Sequence, residues 1–194
     1  MNKNVPNIIT ITRIILLPFI FFFYMADFVP YGKLIAVAIF IVAAVTDFLD
    51  GKIARKYNLV SNLGKLLDPI ADKMLCYTGM ILIAVLGVFP AWAVVVFLFV
   101  SLIRDFAVDC MRMLAAKQTV VLAAGWSGKI KTTLYLISIP LSMAFNHLPF
   151  INTDAINILG IIAFFLLWLA TILCAYSGTE YLIKNRFVFK ENPK

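Results

Sequence analysis

Residues 34–88 read LIAVAIFIVAAVTDFLDGKIARKYNLVSNLGKLLDPIADKMLCYTGMILIAVLGV, two apolar runs separated by a charged joint. A helix needs about 20 apolar residues to cross the hydrocarbon of a bilayer, and each run comes close to that length. The joint carries four carboxylates, Asp47, Asp50, Asp68 and Asp72, at the facing ends of the two runs. An apolar helix pair with its acids gathered at one end fits a membrane bundle with a polar site at the interface better than a water-soluble core.

The whole chain supports that choice. Its 194 residues are 63% hydrophobic and 14% charged, with a mean hydropathy of +0.97, more apolar surface than a soluble domain of this size can hide. Apolar helices are expected at about 8–29, 34–55, 66–88, 91–115, 130–146 and 156–183. The breaks fall near Pro30–Gly32, Asn58–Gly64, Gly87–Pro90, Lys117–Gly128 and Asn146–Asp154. The fold class expected is therefore an all-α integral membrane protein, a six-transmembrane-helix bundle formed by a single transmembrane domain over residues 1–194.

Lys and Arg crowd the breaks at 52–65 and 112–131 and both chain ends, whereas the intervening breaks hold only Lys33. Cytosolic loops carry such an excess, so the acid cluster and both termini are expected to face the cytosol. The first span is too long for the apolar core of a signal peptide, and Met25-Ala26-Asp27 is no small-x-small cleavage site. No targeting extension, 20–50-residue repeat or low-complexity tract is visible. Pro18 and Pro140 are tolerable in a bundle whose neighbours satisfy the freed carbonyls.

Cys76, Cys110 and Cys174 stand singly in apolar runs, without the spacing of a zinc site or a disulfide framework, and read as small packing residues. The formal charge of +7 forms no basic stripe with interleaved aromatics, which argues against a nucleic-acid partner. Anionic lipid headgroups and a phosphorylated substrate suit it better.

Asp47 and Asp50 are spaced i,i+3 and Asp68 and Asp72 i,i+4, so each pair lies on one helix face. A joint of about nine residues lets the two faces meet. Two unit charges about 5 Å apart at an effective dielectric of about 20 repel by roughly 3 kcal/mol, so a cation must compensate. All-oxygen donors select hard ions, and Mg²⁺ or Mn²⁺ in a two-metal site is the expected cofactor. The plainer alternative is ordinary interfacial acids in salt bridges, such as Asp47 with Arg55. Gly51 and Ala54 clear bulk from the face beside the acids, either for a nucleotide or for helix packing.

Asp47 to Asp72 resembles the signature of the CDP-alcohol phosphotransferases, Asp-x2-Asp-Gly-x2-Ala-Arg-x8-Gly-x3-Asp-x3-Asp, with every specified position present. The resemblance implies that Asp47, Asp50 and Asp68 hold two metal ions and that Asp72 both touches metal and acts as general base. It implies that Gly51, Ala54 and Arg55 contact the CDP moiety, and Ser61 and Gly64 are counted with that CDP-lipid site. Gly64 has the alternative role of starting the third helix. A six-helix fold and a homodimer are implied as well.

Asn7, Thr10 and Arg13 share a helical face at the entrance of the first span and resemble the family's N-terminal element, which lines the CDP site. Arg13 has a second reading, snorkelling to headgroups. The fourth span carries Arg104, Asp105, Asp109 and Arg112, and the fifth begins with Gly128-Lys129-Ile-Lys131-Thr132. Basic groups beside a metal site can hold an acceptor's phosphomonoester. These elements resemble family members whose donor is CDP-diacylglycerol and whose acceptor is glycerol 3-phosphate, with Arg104, Arg112, Lys129 and Lys131 as acceptor-phosphate ligands. Asp105 departs mildly from the glutamate more often found there. Left open are lysines that only signal topology and an internal Arg104–Asp109 salt bridge.

The implied reaction is in-line attack by the acceptor hydroxyl on the lipid-side phosphorus, releasing CMP, with Asp72 taking the proton. The only histidine, His147, falls in a loop on the opposite side and offers no phosphohistidine route. Rival readings are another acceptor within the family (phosphatidylglycerol, serine or inositol phosphate), a cation or proton transporter, and a scaffold. A transporter would place its acids near mid-span with access to both faces. The resemblance points to a bacterial plasma membrane, an organelle of bacterial ancestry being the alternative.

Overall fold

The computed structural model describes residues 5–56, 62–118, 120, 122, 125–148 and 152–189, and within them the side chains of all but 5, 6, 47–56, 62, 63, 65 and 66. Among the described residues the regular structure is wholly helical. The long helices are α1 (Val5–Met25), α2 (Gly32–Lys56), α3 (Asn62–Val85), α4 (Ala91–Lys117), α5 (Trp126–Ala144) and α6 (Thr153–Lys184). Single turns of 3-10 helix follow α5 at Phe145–His147 and α6 at Arg186–Phe189.

The six helices match the expected segments, with ends moved for local reasons. Apolar character continues through Val88, but α3 stops at Val85 because Gly87 takes a left-handed φ of +62°. The Val88 N–H donates to Ile83 O at 3.2 Å and the Gly87 N–H to Ala84 O at 3.2 Å, the paired bonds of a Schellman cap. Similarly, Phe28 and Val29 are apolar yet lie in the turn after α1, which ends at Met25 ahead of Asp27 and Pro30. At the other boundaries polar residues are helical. Helix α3 starts at Asn62 and α5 at Trp126, four residues before the expected starts at 66 and 130.

Contacts between helix ends set the topology. The Thr10 hydroxyl near the start of α1 donates to Asp68 near the start of α3, and Lys131 early in α5 pairs with Asp105 in the second half of α4. Tyr181 late in α6 meets Arg112 late in α4. At the other end the Tyr24 hydroxyl of α1 donates to Met143 O of α5 at 2.9 Å. The helices therefore run alternately up and down, and residues 5 and 189 lie at the same, charged end. Gln118 anchors the last turn there by donating to Val188 O at 2.9 Å.

The core runs through the centre on Ile20, Tyr24, Phe40, Leu75, Phe97, Tyr135 and Leu167. Helix α1 packs against α2 and α3, and α6 against α5 and α4. At the crossing of α2, α3 and α5, a Cβ on Gly79 would lie 2.2 Å from Ile139 Cγ2 and 3.0 Å from Phe40 Cε2, so only glycine permits this approach. Outside, α6 exposes Ile158, Ile161, Phe165, Leu169, Ile172 and Tyr176 at helical spacing, a continuous apolar stripe suited to lipid. Helices α1, α4 and α6 are long and apolar enough to cross a membrane. Cys76 and Cys174 are buried packing residues as expected, whereas Cys110 is a correction: it lies exposed on α4, which turns that face outward.

Candidate active site

The acids of α3 come first, because the helix itself aligns them. Asp68 and Asp72 stand one turn apart within α3, Asp68 exposed and Asp72 half-buried. Thr10 Oγ1 donates to Asp68 Oδ1 at 2.6 Å, which ties the N-terminal element of α1 to the acid cluster. Thr10 and Arg13 are each 2% exposed and Asn7 is partly buried, so the face expected to turn inward does so. Burial at that level removes the plain snorkelling reading of Arg13. Gly64 is buried in the first turn of α3.

Asp47, Asp50, Gly51, Ala54 and Arg55 lie on helical backbone in the last turns of α2, and their side chains fall outside the described residues, as does Ser61 entirely. The donors that are described suit a hard cation. A carboxylate has about four lone-pair sites, and Asp68 uses one on Thr10. Its α3 neighbour Asp72 likewise offers only oxygen, the chemistry that Mg²⁺ or Mn²⁺ takes.

A cavity of about 390 Å³ opens beside these acids, and its lining includes Asp72 from α3, Arg104 and Arg112 from α4, and Lys129 and Lys131 from α5. All four basic residues expected around the acceptor phosphate thus share one cavity with the expected base. Their surroundings differ. Lys131 is buried and donates to Asp105 Oδ1 at 2.7 Å, and Arg104 Nη1 donates to the same oxygen at 3.0 Å. Tyr77 Oη donates to Asp105 Oδ2 at 3.0 Å. Two cations share one carboxylate here, leaving a net positive charge in a low-dielectric wall. Lys129 is exposed, its Nζ 5.0 Å from the centre of the Trp126 ring.

Asp109 does not pair with Arg104. Asp109 instead takes Lys73, the residue after Asp72, while Arg104 is drawn to its sequence neighbour Asp105. The internal Arg104–Asp109 bridge is therefore corrected. Arg112 Nε donates to Tyr181 Oη at 3.3 Å and lies over that ring at 5.6 Å. His147 sits at the opposite end, its ring edge-on to Tyr24 at 6.0 Å.

Sequence reasoning missed Lys73, Tyr77 and Tyr181, which meet Asp109, Asp105 and Arg112. Tyr77 was within reach, since it follows Lys73 by four residues and so shares a face with a residue beside the base. Tyr181 carried no local signal, because only the return of α6 to the charged end brings it to Arg112.

The described acids stand beside a cation-lined cavity at one end of an apolar helical bundle, an arrangement suited to anionic ligands. The chain matches the model of the CDP-alcohol phosphatidyltransferase family over residues 3–176, and it belongs to that family. It is 36% identical to the CDP-diacylglycerol--glycerol-3-phosphate 3-phosphatidyltransferase of Bacillus subtilis (strain 168), covering 94% of this chain and 95% of that one. The protein of the same name from Rickettsia bellii (strain RML369-C) is 33% identical over 93% of this chain and 94% of its own. That from Shigella flexneri serotype 5b (strain 8401) is 31% identical over 96% and 97%.

Proposed function

We propose that this chain transfers the phosphatidyl group of CDP-diacylglycerol to glycerol 3-phosphate, giving phosphatidylglycerophosphate and CMP for phospholipid synthesis. The observation that carries the reading is the single cavity in which Asp72 stands with Arg104, Arg112, Lys129 and Lys131. A phosphomonoester acceptor gives such cations an anion to hold, which a neutral alcohol does not. The shared name of relatives matched along nearly their full length supports the same substrates.

Asp47, Asp50, Asp68 and Asp72 hold two Mg²⁺ or Mn²⁺ ions, whose part is to neutralise the diphosphate charge. Asn7, Thr10, Arg13, Gly51, Ala54, Arg55, Ser61 and Gly64 receive the CDP end of the lipid, while its acyl tails remain in the bilayer. The basic residues hold the acceptor's phosphate and bring its primary hydroxyl in line with the lipid-side phosphorus. Asp72 takes the hydroxyl proton as the new P–O bond forms and CMP leaves.

All six helices cross the membrane in this reading, as one domain over residues 1–194, with the charged end and both termini in the cytosol. The Lys and Arg of the charged end support that orientation. The protein is a multi-pass component of a bacterial plasma membrane and works as a homodimer, without nucleic acid. The test is CMP release by purified, detergent-solubilised protein given CDP-diacylglycerol and Mg²⁺ or Mn²⁺, with glycerol 3-phosphate, phosphatidylglycerol, serine or inositol phosphate supplied separately. Release dependent on glycerol 3-phosphate is expected. Release with another acceptor would overturn the substrate, and none with any acceptor would overturn the activity.

A further inference from the structure

The family match ends at residue 176, yet the next turns of α6 touch the acceptor side of the cavity at several points. Gly178 is buried, and a Cβ there would stand 2.6 Å from Arg104 Cγ and 3.4 Å from its Cβ. The inner stem of that arginine, rather than its mobile tip, fills the space the missing side chain leaves. Gly128 of α5 closes the other side, since a Cβ on it would lie 2.9 Å from Arg104 Nη2. One turn beyond Gly178, Tyr181 accepts from Arg112 Nε at 3.3 Å and puts its ring under the guanidinium at 5.6 Å. Between them Glu180 accepts from Ser127 Oγ at 3.1 Å, fastening α6 to the first turn of α5, which carries Lys129.

We propose that Gly178 and Tyr181 are positioning residues for the acceptor's phosphate, the end of α6 acting as a rear template that sets the directions of Arg104 and Arg112. The inference rests on the proposed use of a phosphorylated acceptor and deepens it. An arginine's planar fork is useful for a phosphate only when its plane is fixed. Arg104 is held by Asp105 at its tip, with Gly178 against its stem and Gly128 against Nη2. Arg112 is exposed and gets its orientation from Tyr181. Neither α6 residue needs to touch the phosphate. Each sets the angle of the group that does.

The experiment measures separate Michaelis constants for glycerol 3-phosphate and CDP-diacylglycerol in full-length, detergent-solubilised Tyr181→Phe and Gly178→Ala. Thr179→Val, on the exposed side of the same turn, is the control. Tyr181→Phe is expected to raise the acceptor constant roughly fivefold, the scale of one ordinary hydrogen bond. Gly178→Ala, which must displace the arginine stem, is expected to raise it on the order of tenfold or more. In both the donor constant holds, kcat falls less than the acceptor constant rises, and Thr179→Val behaves as the wild type. An unmoved acceptor constant, or an equal rise in both constants, overturns the inference. Should Gly178→Ala fail to fold, Tyr181→Phe decides alone. A wild type that ignores glycerol 3-phosphate would defeat the proposed function, whereas an active wild type beside an unmoved Tyr181→Phe defeats only this inference.

Discussion

Asp105 and Asp27 each face a lysine, one at the charged end of the bundle and one at the other, and little else about them is alike. Asp105 is 9% exposed and takes Lys131, Arg104 and Tyr77 on its two oxygens. Asp27 is 86% exposed and meets Lys33 at 3.3 Å across the α1–α2 turn. Water stabilises the second pair whether or not its partner is present, so the pair contributes little. In the first, each charge depends on the others, and removing one strands the rest. The surroundings follow the same division. Around Asp105, its partners Arg104, Lys131 and Tyr77 line a cavity of about 390 Å³, whereas Asp27 borders a smaller one of about 230 Å³ with Lys33 and His147, and rings pack beneath it in the bundle, with Phe89 5.0 Å from Phe164 and Phe97 5.0 Å from Trp168. One end holds its charges enclosed and interdependent, and the other leaves its pair in water.

The largest effect expected on that contrast comes from the acid that faces the cavity. Asp72→Asn should lower turnover by roughly 10²–10⁴-fold, the usual worth of a general base, while CDP-lipid binding remains measurable. Retained turnover would exclude Asp72 as base. Asp105→Ala should come next, costing about 3–5 kcal/mol because it leaves Lys131 buried, and Arg104 largely enclosed, without their carboxylate. Denaturant unfolding in detergent measures this, and a loss below about 1 kcal/mol would place Asp105 with the exposed pairs. Lys129→Ala is smaller, since this lysine is exposed beside Trp126. Its acceptor Michaelis constant should rise a few-fold, as for one exposed phosphate contact, and more than the donor's. At the far end, Asp27→Asn should change stability by less than about 1 kcal/mol and leave turnover alone. A larger loss there would erase the distinction between the two ends.

Much of this was legible in the sequence because helix spacing is local. The i,i+4 pair Asp68 and Asp72 had to share a face once α3 was helical, and the inward face of Asn7, Thr10 and Arg13 followed in the same way. Helix ends were less legible. Hydropathy reports what a segment prefers to touch, not its φ, so Gly87 ended α3 inside an apolar stretch. Partner choice was illegible for a different reason. Arg104 had acids one and five residues away, and Lys73, 36 residues before Asp109 in the chain, claimed the farther one. The contributions of Gly178 and Tyr181 belong to the same class, since the packing of α6 against α4 brings them to the site.

The missing side chain at Gly79 sits seven residues along α3 from Asp72, and its neighbour Ile139 sits eight along α5 from Lys131. The two helices mesh there like gear teeth with no play, since even a methyl group on residue 79 would overlap Ile139. A helix turned about its own axis at that crossing carries every side chain two turns away through the same angle. The relative orientation of Asp72 and of Lys131, whose ammonium meets Asp105 on the cavity wall, is therefore set in part at a crossing two turns away from both.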